Sequence, residues 1–292
     1  MARALTPILT QLLPTERLLF SSGITCAGTF ACGTADPLFQ GGQPSTSTCI
    51  VFSRTPVVIQ HEGGVRYVAD PTVVTFHNRG RSYRRWKVAE TGDRCDWIAY
   101  GDNLLRDVVG RWDPRRFDRA AVVPFGFQFV GATAPLYLRQ RRLFNGLRDG
   151  CVDRLQADEE AIGLLATVTA AAYGARRSGR RRAGGRDVDA VHHVRLIIAR
   201  DPSSSHSLSA LASGVGMSPC ALCRAFSRVC GETMTAYRNR LRLLSSLEAV
   251  RAGEDLSSVA LGFGYSSHSH FTAAFRELFG VVPSSLRRSK SL

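Results

Sequence analysis

One arrangement of apolar and polar positions is written twice in the last third of the chain, forty-eight residues apart. Leu208, Leu211 and Ala212 mark one helical face and run into Gly214-Val-Gly216; Leu256, Val259 and Ala260 run into Gly262-Phe-Gly264. Each copy predicts a short helix ended by a glycine turn, with Ser218 and Ser266 placed to cap a second helix. After those serines, apolar residues fall at Leu222, Phe226, Val229 and Cys230, and at Phe271, Phe275, Leu278 and Phe279. Both sets recur at i, i+4, i+7 and i+8, the stripe of a helix with one buried face. Gly231 and Gly280 then stand where such helices close. Between the copies, about Thr233 to Ala252 reads as one longer helix with Tyr237, Leu241, Leu244 and Val250 inward, and Val188 to Ala199 reads as a helix ahead of the first copy.

The first half has a shorter period. Cys49–Phe52, Val57–Gln60, Val65–Val68, Thr72–Phe76 and Asp96–Tyr100 are β-rich runs, with a turn at Glu62-Gly-Gly64 and breaks at Asp70-Pro71 and Asn78-Arg-Gly80. Such runs at roughly ten-residue spacing predict a small sandwich or barrel. Two trailing helices are expected: Pro135–Leu147, with Leu136, Gln140, Leu143, Phe144 and Leu147 on one side, and Glu159–Tyr173, with Ile162, Leu165, Ala166 and Thr169. The expected class is α+β: a β-rich barrel with trailing helices, then an all-α, seven-helix domain holding two helix-turn-helix units.

The faces opposite the apolar stripes carry the chemistry. The first second helix turns outward Cys220, Cys223, Arg224 and Ser227, with Arg228 at the margin; the other turns out Ser269, Thr272, Ala273 and Arg276, with His268 and His270 near its start. Small, polar and basic side chains of this kind suit a DNA major groove. Two heads held about 34 Å apart would enter successive grooves on one face of the duplex.

Charge sharpens the division of the chain. The net charge is +14, and residues 176–186 hold six arginines and no acid, whereas residues 1–175 and 187–292 each carry a net +4. We read 176–186 as a linker between domains 1–175 and 187–292; its arginines could add sequence-independent phosphate contacts. No basic-then-apolar export segment opens the chain, and its longest apolar stretch, Ala161–Tyr173, is too short to span a bilayer. A cytoplasmic protein with reduced cysteines, not bound to membranes, is expected.

Val259-Ala260, Gly264-Tyr265, Ser269-His270-Phe271, Phe275-Arg276, Phe279-Gly280 and Pro283, together with Leu211-Ala212, Met217-Ser218-Pro219, Leu222, Arg224, Phe226, Gly231, Tyr237 and Arg240–Leu243, resemble the DNA-binding domain of the AraC/XylS family of bacterial transcription regulators. The resemblance covers about residues 188 to 289. Cys220, Cys223 and Ala273 depart from it at positions where that family usually carries larger or hydrogen-bonding residues, which shifts the expected readout onto their neighbours. A shorter stretch from Val68 to Cys95 resembles the cupin-type sensory half of some members. The resemblance implies a regulator that reads double-stranded operator DNA. It also implies a small-molecule effector in the N-terminal domain, a homodimer made by the two trailing helices, and RNA polymerase as partner if the protein activates. Base readout is assigned to Cys220, Cys223, Arg224, Ser227, His268, Ser269, Thr272 and Arg276, and phosphate contact to Arg228, Arg240 and His270.

Other chemistries find less support. His61-Glu62-Gly63 and His77-Asn78 do not form the His-x-His pair of a metal-dependent cupin, and neither a nucleophile elbow nor a phosphate loop is present, so no catalytic residue, cofactor or metal ligand is assigned. Cys220-x-x-Cys223 offers a second reading, a redox or zinc switch on the same DNA-binding domain. A DNA-repair methyltransferase would need four N-terminal cysteines in two close pairs; Cys26, Cys32, Cys49 and Cys95 do not provide them.

Overall fold

The computed structural model describes residues 8–9, 11–118, 123–177 and 184–287, and the chain divides into two compact units between residues 180 and 181. In the first unit the described strands pair into two antiparallel sheets. The larger has the order β1 (Glu16–Ser21), β2 (Thr25–Cys32), β9 (Asp93–Tyr100), β4 (Cys49–Ser53), β7 (Val73–His77), β10 (Phe129–Gly131). The smaller has the order β3 (Gly41–Pro44), β8 (Ser82–Lys87), β5 (Val57–His61), β6 (Arg66–Ala69). Phe30, Cys49, Val57, Ile59, Tyr67 and Trp97 belong to one buried cluster drawn from both sheets.

Every predicted strand overlaps one of these elements, with Val65 and Thr72 falling one residue ahead of β6 and β7, but β1, β2, β3, β8 and β10 were not anticipated. Their patterns conceal them. The β2 sequence Thr-Cys-Ala-Gly-Thr-Phe-Ala-Cys is built of small residues, and β8 carries Arg84, Arg85 and Lys87 among its six. Arg85 nevertheless points inward, where Asp93 of β9 pairs with it at 2.7 Å. An inward charge that finds a partner breaks the apolar alternation without breaking the strand.

β9 is buried on both faces because alternate residues meet different neighbours. Cys95, Trp97 and Ala99 join the cluster between the sheets. Asp96 and Tyr100 engage two helices instead: α2 (Ala134–Asp149) and α3 (Arg154–Arg177). The fully buried Asp96 carboxylate accepts from Gln140 Nε2 at 2.9 Å, Arg141 Nη1 at 2.5 Å and Arg148 Nη2 at 3.1 Å, all on α2. Tyr100 donates to the Ala161 carbonyl at 3.0 Å, and Ser22 and Thr25 donate to Asp158 at 2.7 and 2.5 Å, which sets the rotation of α3. Its buried stripe is therefore Ala161, Leu164, Leu165, Val168 and Ala172. The expected stripe was rotated from this one: Leu165 and Thr169 are buried, but Ala166 is exposed and Ile162 only half-buried. A short helix, α1 (Asp102–Val109), was also unforeseen; Leu105 and Val109 are its only buried residues.

The second unit is helical: α4 (Gly185–Arg200), α5 (Leu208–Gly214), α6 (Pro219–Cys230), α7 (Met234–Ala252), α8 (Leu256–Gly262) and α9 (His268–Phe279), closed by a 3₁₀ turn at Pro283–Leu286. Among the described residues this makes six α-helices and one 3₁₀ turn where seven helices were expected. The proposed linker enters both units: Arg176 and Arg177 end α3, Gly185 and Arg186 begin α4, and residues 178–183 lie outside the described residues.

Candidate nucleic-acid interface

Both repeats fold as helix, turn, helix. Ser207 and Asp255 cap α5 and α8 by accepting from the Ala210 and Ser258 amides. The Asp255 carboxyl is held below its ordinary range, first by the Ser258 amide and then by the Ser258 hydroxyl. Gly216 and Gly264 take φ values of +62° and +78°, the left-handed conformation each turn needs. The turns differ in length. Ser218 caps α6 as expected, but α9 is capped by Ser267, whose hydroxyl accepts from the His270 amide at 3.2 Å. Ser266, the expected cap, instead meets His270 Nδ1 at 3.2 Å. The second turn therefore holds one more residue than the first.

The buried stripes are narrower than the sequence suggested. In α6 they comprise Leu222, Ala225 and Phe226, with Val229 and Cys230 half-buried; in α9 they comprise Phe271, Phe275 and Phe279, with Leu278 half-buried. The Phe275 ring lies 5.5 Å from Phe271 and 4.5 Å from Phe279. Each buried ring contributes about 1.5–3 kcal/mol, so this ladder fixes which face of α9 is left outward. Phe226 packs on Tyr237 of α7 with ring centres 5.7 Å apart. Gly231 and Gly280 end the two helices in the left-handed conformation.

What remains outward matches most of the expected reading surface. Cys220, Arg224, Ser227 and Arg228 of α6 are exposed, as are His268, Ser269, His270, Ala273 and Arg276 of α9; Thr272 is half-buried and meets His268 Nε2 at 3.2 Å. Neither Arg224 nor Arg276 has an ion-pair partner among the described residues. The expected phosphate contacts are already engaged: Arg228 pairs with Asp187 at 2.5 Å and Arg240 pairs with Glu232. Cys223 departs from the expected outer face. It is half-buried and lines a cleft beneath α6, so it does not share one open surface with Cys220.

Arg242 of α7 was not singled out by sequence pattern because a charge on an inner helical face looks like noise in the stripe. It is 7% exposed and donates to the carbonyls of Pro202 (Nε, 2.5 Å), Ser203 (Nη2, 2.8 Å) and Gly264 (Nη1, 3.1 Å). One guanidinium thus ties the α4–α5 loop and the second turn to the long helix. Burial lowers its pKa from the ordinary arginine value, and that of the adjacent Tyr265 phenol is pushed up to about 12 by burial.

The first unit holds a cavity of about 140 Å³ between its sheets, bounded by Phe30, Cys49, His77, Tyr83, Arg85 and Asp93 among others. Arg85 lies with its guanidinium 4.4 Å from the Phe30 ring centre. The ring of His77 stands 4.8 Å from that of His61, whose Nε2 meets the Tyr67 hydroxyl at 2.9 Å. Burial pushes the Cys49 thiol up to about 12 and the Cys95 thiol well above its ordinary value, which keeps both protonated. No group of three or more His, Cys, Asp or Glu side chains among the described residues is placed to hold a metal, and no described helix is long and apolar enough to cross a membrane.

Comparison with known proteins bears on the second unit. A family described as a helix-turn-helix domain matches residues 211–289. A Streptomyces antibioticus protein described as an AraC-like transcription regulator is 30% identical over 90 residues, covering 30% of each chain. The HTH-type transcriptional activator RhaS of Pectobacterium carotovorum is 38% identical over 58 residues, or 20% of this chain and 21% of RhaS. The matched stretch thus spans less than a third of either relative. Among solved structures, a transcriptional regulator with an AraC-type DNA-binding domain from Chromobacterium violaceum aligns over 36% of this chain and 96% of its own, with 22% identity and a TM-score of 0.33.

Proposed function

We propose, from the membership of this chain in the AraC/XylS family through its helix-turn-helix residues 211–289, that it is a sequence-specific transcription regulator whose α6 and α9 enter successive major grooves of operator DNA. One observation carries the reading. Arg224 and Arg276 both face outward, about one helical turn apart in register (sixth and ninth residues after their caps), on two capped helices, among small polar side chains and with no ion pair among the described residues. An unpaired guanidinium on a groove-facing helix can take guanine O6 and N7 together, the commonest specific contact in the major groove. Cys220 and Ser227 lie beside Arg224, while Cys223 is turned into the cleft beneath α6; His268, Ser269 and Thr272 accompany Arg276. Arg228, Arg240 and His270 meet phosphates and position the heads without specifying sequence, the first two exchanging their carboxylate partners for phosphate. The 19 residues of α7 give a rod of about 28 Å between the repeats, close to the span of one turn of DNA.

The first unit is a cupin-like sensory domain, and its cavity is the seat of a small-molecule effector. The buried Arg85–Asp93 pair and His77 supply the few polar groups such a pocket needs in an apolar setting. A homodimer through α2 and α3, RNA polymerase as partner for activation, and a cytoplasmic location complete the proposal.

The test is duplex binding by Arg224→Ala and Arg276→Ala. Each is expected to lose about 1–3 kcal/mol at a selected site and little on scrambled duplex. Equal weakening on both duplexes would remove the base-reading role.

A further inference from the structure

A second cleft, of about 260 Å³, lies wholly within the helical unit, where α4, the loop before α5, α5, α6 and the start of α7 converge. Its apolar wall is Ile198, Leu208, Leu211 and Met234, and Cys223 closes it on the α6 side. A cleft of this size between four helices, open to solvent on one side, has room for a small ligand. Two cationic or donor side chains also line it. His206 Nε2 and Arg238 Nε are both shielded from solvent and have no hydrogen-bond partner among the described residues. A buried donor without an acceptor is costly, and an acceptor in the cleft would satisfy the Arg238 N–H and, in the tautomer that protonates Nε2, His206 as well. Asp201, whose charge is felt by His206, does not fill this role: its carboxylate is occupied by the Ser203 hydroxyl at 2.5 Å and the Ser203 and Ser204 amides at 3.1 and 3.2 Å.

We propose that this cleft binds a small apolar monocarboxylate, with the carboxylate on Arg238 and His206 and the hydrocarbon against Ile198, Leu208, Leu211 and Met234. Thr233, the cap of α7, and Thr235 also line the cleft, so the positive end of that helix dipole faces the same anion. The occupant lies between the first repeat's second helix and the start of the long helix. It braces α6 against α7 through Cys223, on the side away from the outward Arg224. The site is separate from the cavity of the first unit, and binding to it does not depend on how α6 and α9 contact DNA.

The experiment uses the full-length chain labelled with ¹³C-methyl methionine, of which it has three: Met1, Met217 and Met234. Cyclohexanecarboxylate is the probe, and Met234→Leu assigns the reporter resonance. The Met234 methyl is expected to shift saturably while Met217 stays in place. Arg238→Gln should weaken the binding about tenfold or more, through loss of a charge-assisted hydrogen bond. Leu208→Trp, a change at a residue already 40% exposed, should fill the cleft and abolish the shift without unfolding the unit. Cyclohexanecarboxamide should not compete. An unmoved Met234 methyl at millimolar probe, equal binding of acid and amide, or unchanged affinity in Arg238→Gln would each overturn the proposal.

Discussion

Arg242 Nη1 donates to the carbonyl of Gly264 at 3.1 Å, so the long helix holds the second turn by its backbone. The same guanidinium serves Pro202 and Ser203, in the loop that leads into the first repeat. Replacing it by methionine keeps the length and leaves the Pro202, Ser203, Ser204 and Gly264 carbonyls without their donor. Hydrogen bonds from a charged group are worth about 1.5–3 kcal/mol, so Arg242→Met is expected to destabilise the helical unit by at least that amount. Arg242→Lys should rescue little, because one ammonium cannot reproduce a planar fork. Hydrogen exchange of the α7 and α8 amides reads the effect in the intact chain.

The two turn glycines separate backbone strain from crowding. Both have positive φ, so alanine at either costs about 1–2 kcal/mol. A Cβ at Gly216 meets nothing within 4 Å, whereas one at Gly264 would lie 2.7 Å from the Ser203 carbonyl and 2.8 Å from Arg242 Nη2. Gly264→Ala is therefore expected to lower the melting temperature clearly more than Gly216→Ala. Equal losses would show that the Arg242 junction yields freely.

This junction also shows what sequence pattern can and cannot reveal. The repeats, their glycine turns and the long helix were legible because periodic apolar residues and caps report local structure directly. Arg242, Arg85 and Asp96 were not legible: each is a charge at an inward position, and only its partners in space, distant in sequence, make it tolerable there. The extra residue in the second turn was hidden by Ser266-Ser267, since either serine can cap a helix and tertiary packing of Tyr265 decides. Tyr265 sits with its ring 5.4 Å from Phe271 and 5.3 Å from His270, and that seat displaces the cap by one residue. Cys223 was misplaced for a related reason. A helical wheel gives angles, but it does not show that α7 approaches on that side.

Asp96 joins β9 to α2 through a carboxylate with no exposure to solvent. Asp96→Asn retains the shape and removes the charge facing Arg141, Arg148 and, at 3.7 Å, Arg54. Breaking a buried pair by removing one partner typically costs about 3–5 kcal/mol. The expected outcome is early loss of the near-ultraviolet signal of the first unit, which contains all three tryptophans: Trp86, Trp97 and Trp112.

His61 and His77 make the first unit sensitive to acid. Burial lowers the His61 pKa to about 4, and burial together with the charge of His61 lowers that of His77 well below the ordinary value. The unfolded chain therefore binds more protons below its histidine pKa of about 6.5, and stability falls as pH drops through that value toward 4. Each histidine contributes a slope of about 1.4 kcal/mol per pH unit in that window. Melting followed from pH 7 to pH 5 should show a steeper loss in the wild type than in a His61→Gln, His77→Gln variant.

The central claim is that two reading heads, fixed by α7, bind one face of DNA together. Selection of random duplexes by the purified full-length protein tests it most directly. The account predicts enrichment of sites with two short boxes whose centres lie about one helical turn apart, with that spacing held constant across the selected pool. A pool enriched for a single box, for two boxes at unrestricted spacing, or for no sequence at all would contradict it.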